Sequence, residues 1–169
     1  RDGSSRFAPS KRFAVFPAFS LGWRITGEDF LKDNSIFNDL KLRASWGKVG
    51  NDRVPTDAFV VTLEPNQNYP FGGGLAVPGS AITQIKDPNL KWEITEELDF
   101  GLDFGFLRNR LTGEIGYYTK TAKDLLINVN VPSVVGDADG LVLTNAASIQ
   151  NTGLEIAANY RSVTKKNFS

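Results

Sequence analysis

Apolar and polar residues alternate with period two over long stretches of this chain. The clearest is residues 92–107, WEITEELDFGLDFGFL. Its even positions are Trp92, Ile94, Glu96, Leu98, Phe100, Leu102, Phe104 and Phe106, apolar except Glu96. Its odd positions are Glu93, Thr95, Glu97, Asp99, Gly101, Asp103 and Gly105, polar or glycine until Leu107. A strand sends successive side chains to opposite faces, whereas a helix would scatter these residues around its circumference, so the segment predicts a β-strand with two unlike faces. At roughly 3.3 Å per residue it extends to about 50 Å, far beyond the usual strand of about 5–6 residues. Such length, with Phe100, Phe104 and Phe106 gathered before a tight turn, suits a transmembrane barrel strand, which needs an apolar outer band and a polar inner wall. A band about 25 Å tall crossed at about 40° takes roughly 10 residues. Residues 98–106 fit it, with Trp92 and Glu96 projecting beyond.

The same rhythm recurs along the chain. Residues 1–11 are polar and read as a loop. Residues 12–26 alternate, with Phe13, Val15, Phe19, Leu21, Trp23 and Ile25 on one face; Pro17 removes a ladder donor and predicts irregular pairing nearby. Residues 27–38 break the pattern and read as a connection with one helical turn, Phe30 and Leu31 packing inward. Residues 39–49 alternate again, Leu40, Leu42, Ala44 and Trp46 opposing Asp39, Lys41, Arg43, Ser45 and Gly47. Residues 50–90 hold five prolines and the run Gly72–Gly73–Gly74 and form a long loop, with residues 58–63 read as a strand inside it. After a tight turn at residues 108–110, residues 111–127 run back, with Tyr118 and Leu126 falling on the polar side. Residues 128–146 read as a second long loop. Residues 147–163 form the last strand, where Thr152, Leu154, Ile156, Ala158 and Tyr160 oppose Gly153, Glu155, Ala157, Asn159 and Arg161. Residues 164–167 are a short turn before the start of a sixth strand. Long loops fall on one side and short turns on the other, as in an up-and-down antiparallel barrel.

Composition narrows the function. Lys and Arg number 19 and Asp and Glu 19, a net charge of zero, which argues against nucleic acid as a partner. There is no Cys and no His, so disulfides, thiolate metal sites and every Ser–His or Cys–His mechanism are excluded from this chain. With no Met and no signal peptide, it reads as an excerpt of a longer protein.

Five segments carry a family resemblance: FPAFSLGWRI (residues 16–25), NDLKLRASWGKVGN (38–51), DPNLKWE (87–93), LDFGLDFGFLRNRLTGEIGYY (98–118) and NTGLEIAANYR (151–161). In this order they resemble the SusC/RagA family of TonB-dependent outer-membrane transporters of Bacteroidetes, over nearly the whole chain. The resemblance implies a parent barrel of about 22 strands, of which residues 1–169 are about five. It implies a plug domain lying elsewhere in the protein, energy delivered through TonB, and a SusD-like surface lipoprotein as a lid. It implies import of oligosaccharides, peptides or similar nutrients across the bacterial outer membrane.

On this reading Leu40, Leu42, Leu98, Phe100, Leu102, Phe104, Phe106, Leu154 and Ile156 face lipid. Lys41, Arg43, Glu97, Asp99, Asp103, Glu155 and Asn159 face the lumen, the carboxylates meeting Lys41, Arg43, Lys120 or Arg161 of other strands. Trp23, Trp46 and Trp92 read as membrane-interface aromatics. Asn51 and Asp52, at the mouth of the first long loop, and Tyr69 and Phe71 within it are the ligand-binding candidates; the two rings either stack on a sugar or peptide side chain or pack within the loop. Glu97 and Asp99 lie at a separation found in inverting glycosidases, but such carboxylates flank a cleft from different elements, so no catalytic residue, metal ligand or cofactor is expected. Asp137–Ala138–Asp139–Gly140 lacks the closing Glu of a calcium loop and reads as a turn. The triple glycine reads as loop flexibility or as an approach for an anion. The rival readings are a soluble carbohydrate-binding β-sandwich, a barrel hydrolase and a protein-export channel on the same barrel.

Overall fold

A computed structural model describes residues 1–31, 36–70, 72–132, 134 and 140–162. In chain order its elements are β1 (Asp2–Gly3), β2 (Phe13–Ala14), β3 (Ala18–Arg24), a 3-10 turn (Ile25–Gly27), β4 (Phe37–Asn51), β5 (Glu64–Pro65), β6 (Tyr69–Pro70), β7 (Ala76–Val77), β8 (Ser80–Ala81), β9 (Glu93–Phe106), β10 (Leu111–Asn130) and β11 (Leu141–Tyr160). The long strands form one five-stranded sheet in the order β11-β10-β9-β4-β3, so every neighbour in space is the next long strand in sequence. The two-residue strands pair as β1-β2, β5-β8 and β6-β7. The chain is all-β and meandering, as the alternation predicts.

The contacts divide the chain into two compact units. One comprises Arg1–Phe16, Gly50–Ile94 and Ala122–Ser148; the other comprises Pro17–Val49, Thr95–Thr121 and Ile149–Ser169. The first holds the buried core: Phe7, Val54, Ala58, Leu90 and Trp92, with Ala14, Phe16, Ile94, Leu126 and Leu143 packed against it. The second holds the two-faced part of the sheet. There β3 pairs antiparallel with β4, Phe19 opposite Trp46, Leu21 opposite Ala44 and Trp23 opposite Leu42.

Several boundaries differ from the sequence expectation. The predicted strand over residues 12–26 is broken at Pro17, which cannot donate to a ladder; β2 leaves to pair with β1, and the Pro17 carbonyl accepts the Lys48 N–H at 2.9 Å. The helical turn comes earlier than predicted, at Ile25–Gly27, and Phe30 is exposed rather than packed inward. Residues 58–63 form no strand; the loop's pairing lies in β5-β8 and β6-β7 instead. The second long loop is shorter than predicted because β10 and β11 extend into it, and the Val131 N–H donates to the Gly140 carbonyl at 2.9 Å. The turn between β9 and β10 is tight because Leu107, Arg108 and Asn109 all take left-handed backbone, with φ of 53°, 58° and 60°. Primed hairpin turns need such angles to match the strand twist. The expected turn at residues 164–167, the sixth strand and Asp137–Asp139 lie outside the described residues.

One residue accounts for Leu126, one of the two exceptions to alternation in residues 111–127, while Tyr118 stays on the polar side. Asp124, inside β10, has φ 57°, the left-handed backbone that an inserted bulge residue adopts. Lys120, before it, shares a face with Glu97 of β9. Leu126, after it, joins the cluster that contains Ile94 of β9, which has the opposite parity. Leu126 therefore leaves the polar side on which strict alternation placed it. The Asn145 side-chain amide secures the bulge, donating to the Asp124 carbonyl at 2.7 Å and the Lys91 carbonyl at 3.0 Å, while its Oδ1 accepts the Lys91 N–H at 2.9 Å.

Candidate functional site

The chemistry of the second unit lies in the difference between the two faces of its strands. On the odd face of β9, Asp103 Oδ1 accepts from Arg43 Nε of β4 at 2.9 Å, and Arg43 Nη2 donates to Glu114 Oε2 of β10 at 3.3 Å. One guanidinium thus ties three strands, using the fork of donors that only Arg carries. The fork lies across Gly101, where a Cβ would sit 2.9 Å from Arg43 Nη2; a side chain there would push the guanidinium off its carboxylates. Farther along the same face Lys120 Nζ reaches Glu97 Oε2 at 3.5 Å. Tyr118, an aromatic on this polar side, covers Gly153 of β11, where a Cβ would lie 2.7 Å from the ring. Ring-over-glycine packing shields a backbone that has no side chain of its own.

These pairs are partly exposed, and each contributes about 0–1 kcal/mol. Their consequence is a face whose charged side chains of both signs are paired and partly exposed. A recess of about 490 Å³ on it is lined by Ser20, Ser45, Thr95, Glu97 and Lys120 among others. Lys41 and Asp99 line a smaller recess beside Arg43. Glu155 lies 4.0 Å from where a Gly116 Cβ would be, and Asn159 is exposed on β11.

Among the described residues the even face is apolar and in large part exposed. Leu98 is 38%, Phe100 49%, Leu154 64% and Ile156 67% exposed, and Leu42 is exposed as well; Leu40, Leu102, Phe104 and Phe106 are half-buried among their neighbours. None of them enters the core, as a sandwich would require. Phe37, Phe106 and Phe104 form a ring chain with centroids 5.1 and 5.4 Å apart. Phe104 covers Gly113 of β10 as Tyr118 covers Gly153. Phe19 stacks on Trp46 at 5.9 Å and 11°, and the Trp46 indole N–H donates to Glu96 Oε1 at 2.9 Å. Trp23 is exposed, its N–H donating to Glu28 Oε1 at 3.0 Å.

Trp92 is a correction. It is not an interface aromatic but the centre of the buried cluster, 8% exposed. Phe7 lies 5.4 Å from it and Phe16 5.3 Å, edge-on, and its indole N–H donates to the Arg12 carbonyl at 3.2 Å. Parity along β9 does not foresee this, because Phe7 and Phe16 come from the chain's first residues.

The ligand candidates are dispersed. Asn51 Oδ1 accepts the Arg53 N–H at 3.1 Å and the Asp52 backbone carbonyl accepts the Val54 N–H at 2.7 Å, so the Asn51 side chain and the Asp52 backbone are engaged in their own turn. Tyr69 is half-exposed with its ring against Gly79, and Phe71 lies outside the described residues. Sequence reasoning passed over a separate recess of about 550 Å³ in the first unit, lined by Asp57, Gln84, Lys86 and Asn128 with Leu141 and Leu143. Lys86 Nζ donates to Asp57 Oδ2 at 2.8 Å and to the Asp57 carbonyl at 3.3 Å. This hydrogen bond, more than the accompanying charge attraction, holds the Asp57 carboxyl below the usual carboxylate range. The two residues lie 29 positions apart with no repeating pattern between them, so no sequence signal marks the pair. Among the described residues no cluster of His, Cys, Asp or Glu is suited to a metal ion.

Comparison with known proteins places this geometry in a family. The family model described as TonB dependent receptor-like, beta-barrel matches residues 1–169. TonB-dependent receptor SusC of Bacteroides thetaiotaomicron is 39% identical over 173 residues, covering 99% of this chain and 17% of SusC. TonB-dependent receptor P3 of Formosa agariphila is 33% identical over all of this chain and 16% of its own length. The chain thus spans about a sixth of the relatives it matches. The RagAB peptide importer superposes in its closed-closed state with a TM-score of 0.81 at 27% identity, over 97% of this chain and 17% of that one. In its open-open state the TM-score is 0.80 at 28% identity, over 96% and 17%. Matched by the family model from end to end and sharing the alternating strands of these barrels, the chain belongs to the TonB-dependent receptor β-barrel family of outer-membrane proteins.

Proposed function

We propose that this chain is a wall-and-loop section of a TonB-energised outer-membrane importer of oligosaccharides, peptides or similar nutrients, working with a SusD-like surface lipoprotein. The observation that carries the reading is the sidedness of the sheet: Arg43, Asp103 and Glu114 joined on one face, exposed Phe100, Leu154 and Ile156 on the other. In hydrocarbon every backbone amide must pair with a neighbouring strand, and only apolar side chains can face outward at little cost. Leu42, Leu98, Phe100, Leu102, Phe104, Leu154 and Ile156 then face lipid. Lys41, Arg43, Glu97, Asp99, Asp103, Glu155 and Asn159 line the hydrated interior, where the charged wall tolerates a plug and a passing polar solute. The chain itself performs no reaction. The recess around Asp57 and Lys86, with Asn51, Asp52 and Tyr69, belongs to the solute-facing loops.

The named relatives support the partner and the cargo: SusC is a TonB-dependent receptor, and RagAB is named a peptide importer. The test is a deletion of the full-length gene in its host, followed by uptake of defined oligosaccharide and peptide pools and affinity purification of the tagged barrel. The expected result is loss of uptake of one pool and co-purification of a surface lipoprotein. Unchanged uptake of every pool, with no lipoprotein recovered, would overturn the proposal.

A further inference from the structure

Resting on the lipid-facing assignment above, we propose that the outer face carries a seat for one acyl chain of a glycerophospholipid, held more firmly than the surrounding bilayer. A trough of about 400 Å³ runs over Ala44, between Trp23 and Leu42 on one side and Phe100, Ile115 and Tyr117 on the other. Ala44 makes the floor: its ladder partner Leu21 and its neighbours are large, so one small side chain opens the depression. The wall is almost wholly carbon. Arg43, which also borders the trough, commits its guanidinium to Asp103 and Glu114.

The occupant follows from what surrounds the trough. β4, β9 and β10 each already have a strand on both sides, so further barrel strands can border only the β3 and β11 edges and cannot roof the floor. What fills it comes from the medium that wets this face, and apolar medium means hydrocarbon chains. A shape-matched apolar depression gains dispersion contacts that a flat surface does not. Trp23 marks the polar end: it is the next-to-last residue of β3, and its indole N–H is held by Glu28 in the connection that follows. Such an apolar ring with a polar tip suits the headgroup boundary. The trough therefore opens toward the leaflet at the short-turn end of the strands, where a phospholipid supplies the chain.

The test uses the full-length barrel purified from outer membranes, with stepwise detergent exchange followed by native mass spectrometry. The wild type is expected to retain one phospholipid after bulk lipid is gone. Ala44→Phe, which fills the floor, is expected to lose that adduct, while Ala158→Phe, on the same face of β11 but away from the trough, keeps it. Tyr117→Ala, which removes a wall, is expected to shed the lipid at an earlier exchange step and serves if Ala44→Phe does not assemble. Retention by either trough variant equal to the wild type, or release of all lipid by the wild type with the bulk, overturns the seat. A fluorophore on Leu154→Cys in lipid with brominated chains separates the two readings. If it is quenched while no phospholipid is retained, the seat alone fails; if it is not quenched, the membrane-facing assignment fails too.

Discussion

Two glycines three positions apart in β10 should respond to alanine in opposite directions. A Cβ added at Gly113 would stand 2.6 Å from Phe104 Cζ and would also strike the Ala157 carbonyl of β11. The ring cannot simply retreat, because it packs against Phe106, which packs in turn against Phe37. The carbonyl is backbone and yields only if β10 and β11 separate locally. Overpacking costs about 1–3 kcal/mol, and weakening one ladder hydrogen bond adds about 0.5–1.5 kcal/mol. Replacing glycine returns about 0.4–1 kcal/mol by restricting the unfolded chain, so Gly113→Ala should destabilise by roughly 0.5–4 kcal/mol. At Gly116 the nearest atoms to an added Cβ are Glu155 Cβ and the Phe100 carbonyl, both at 4.0 Å. Only the chain-entropy gain remains there, and Gly116→Ala should stabilise by about 0.4–1 kcal/mol. The assay is urea unfolding of the full-length barrel in lipid, followed by loss of its compact electrophoretic form. Equal midpoints for the two variants, or a higher midpoint for Gly113→Ala, would refute the packing argument.

Leu102→Arg should destabilise the inserted barrel by about 2–4 kcal/mol if it sits near the bilayer midplane and less toward either interface, whereas Asp103→Asn on the other face should be mild; equal tolerance in a barrel-assembly assay would sink the assignment of faces. Trp92→Ala should cost the loop core about 3–5 kcal/mol and Trp92→Phe about 1 kcal/mol for the lost bond to Arg12, read as faster amide exchange at Val54 and Leu90 in an assembled barrel. Asp57 has a lowered carboxyl pKa because Lys86 donates to its ionised form, so its stabilisation is complete above the ordinary carboxylate range and fades as pH falls through the lowered value. The protection of the Ala58 amide, taken relative to its intrinsic exchange rate at each pH, should therefore fall in acid in the wild type and be low already at neutral pH in Asp57→Asn; a loss of protection in acid that survives in the variant would show that another group is responsible.

Alternation along residues 39–49, 92–107 and 147–161 was enough to establish strands, their two faces and the all-β meander, because period two is written by near neighbours and needs no knowledge of distant residues. It also placed Arg43 and Asp103 on a common polar side. It did not say that Arg43 would also take Glu114, because that depends on the relative shift of strands whose residues lie 60 and 71 positions away. Nor did it show Pro17 sending two halves of one alternating run into different sheets. The bulge at Asp124 carries no glycine to announce it, and its left-handed backbone is held by Asn145 from the next strand. Trp92 reads like Leu98 or Phe100 by parity, yet it is buried because Phe7 and Phe16 arrive from the start of the chain to cover it. Periodicity determined which side residues take where the ladder is unbroken, though not past the bulge, where Leu126 changes sides; only the folded chain decided what lies against each side, since burial and pairing are set by segments remote in sequence and the alternating pattern holds no record of them.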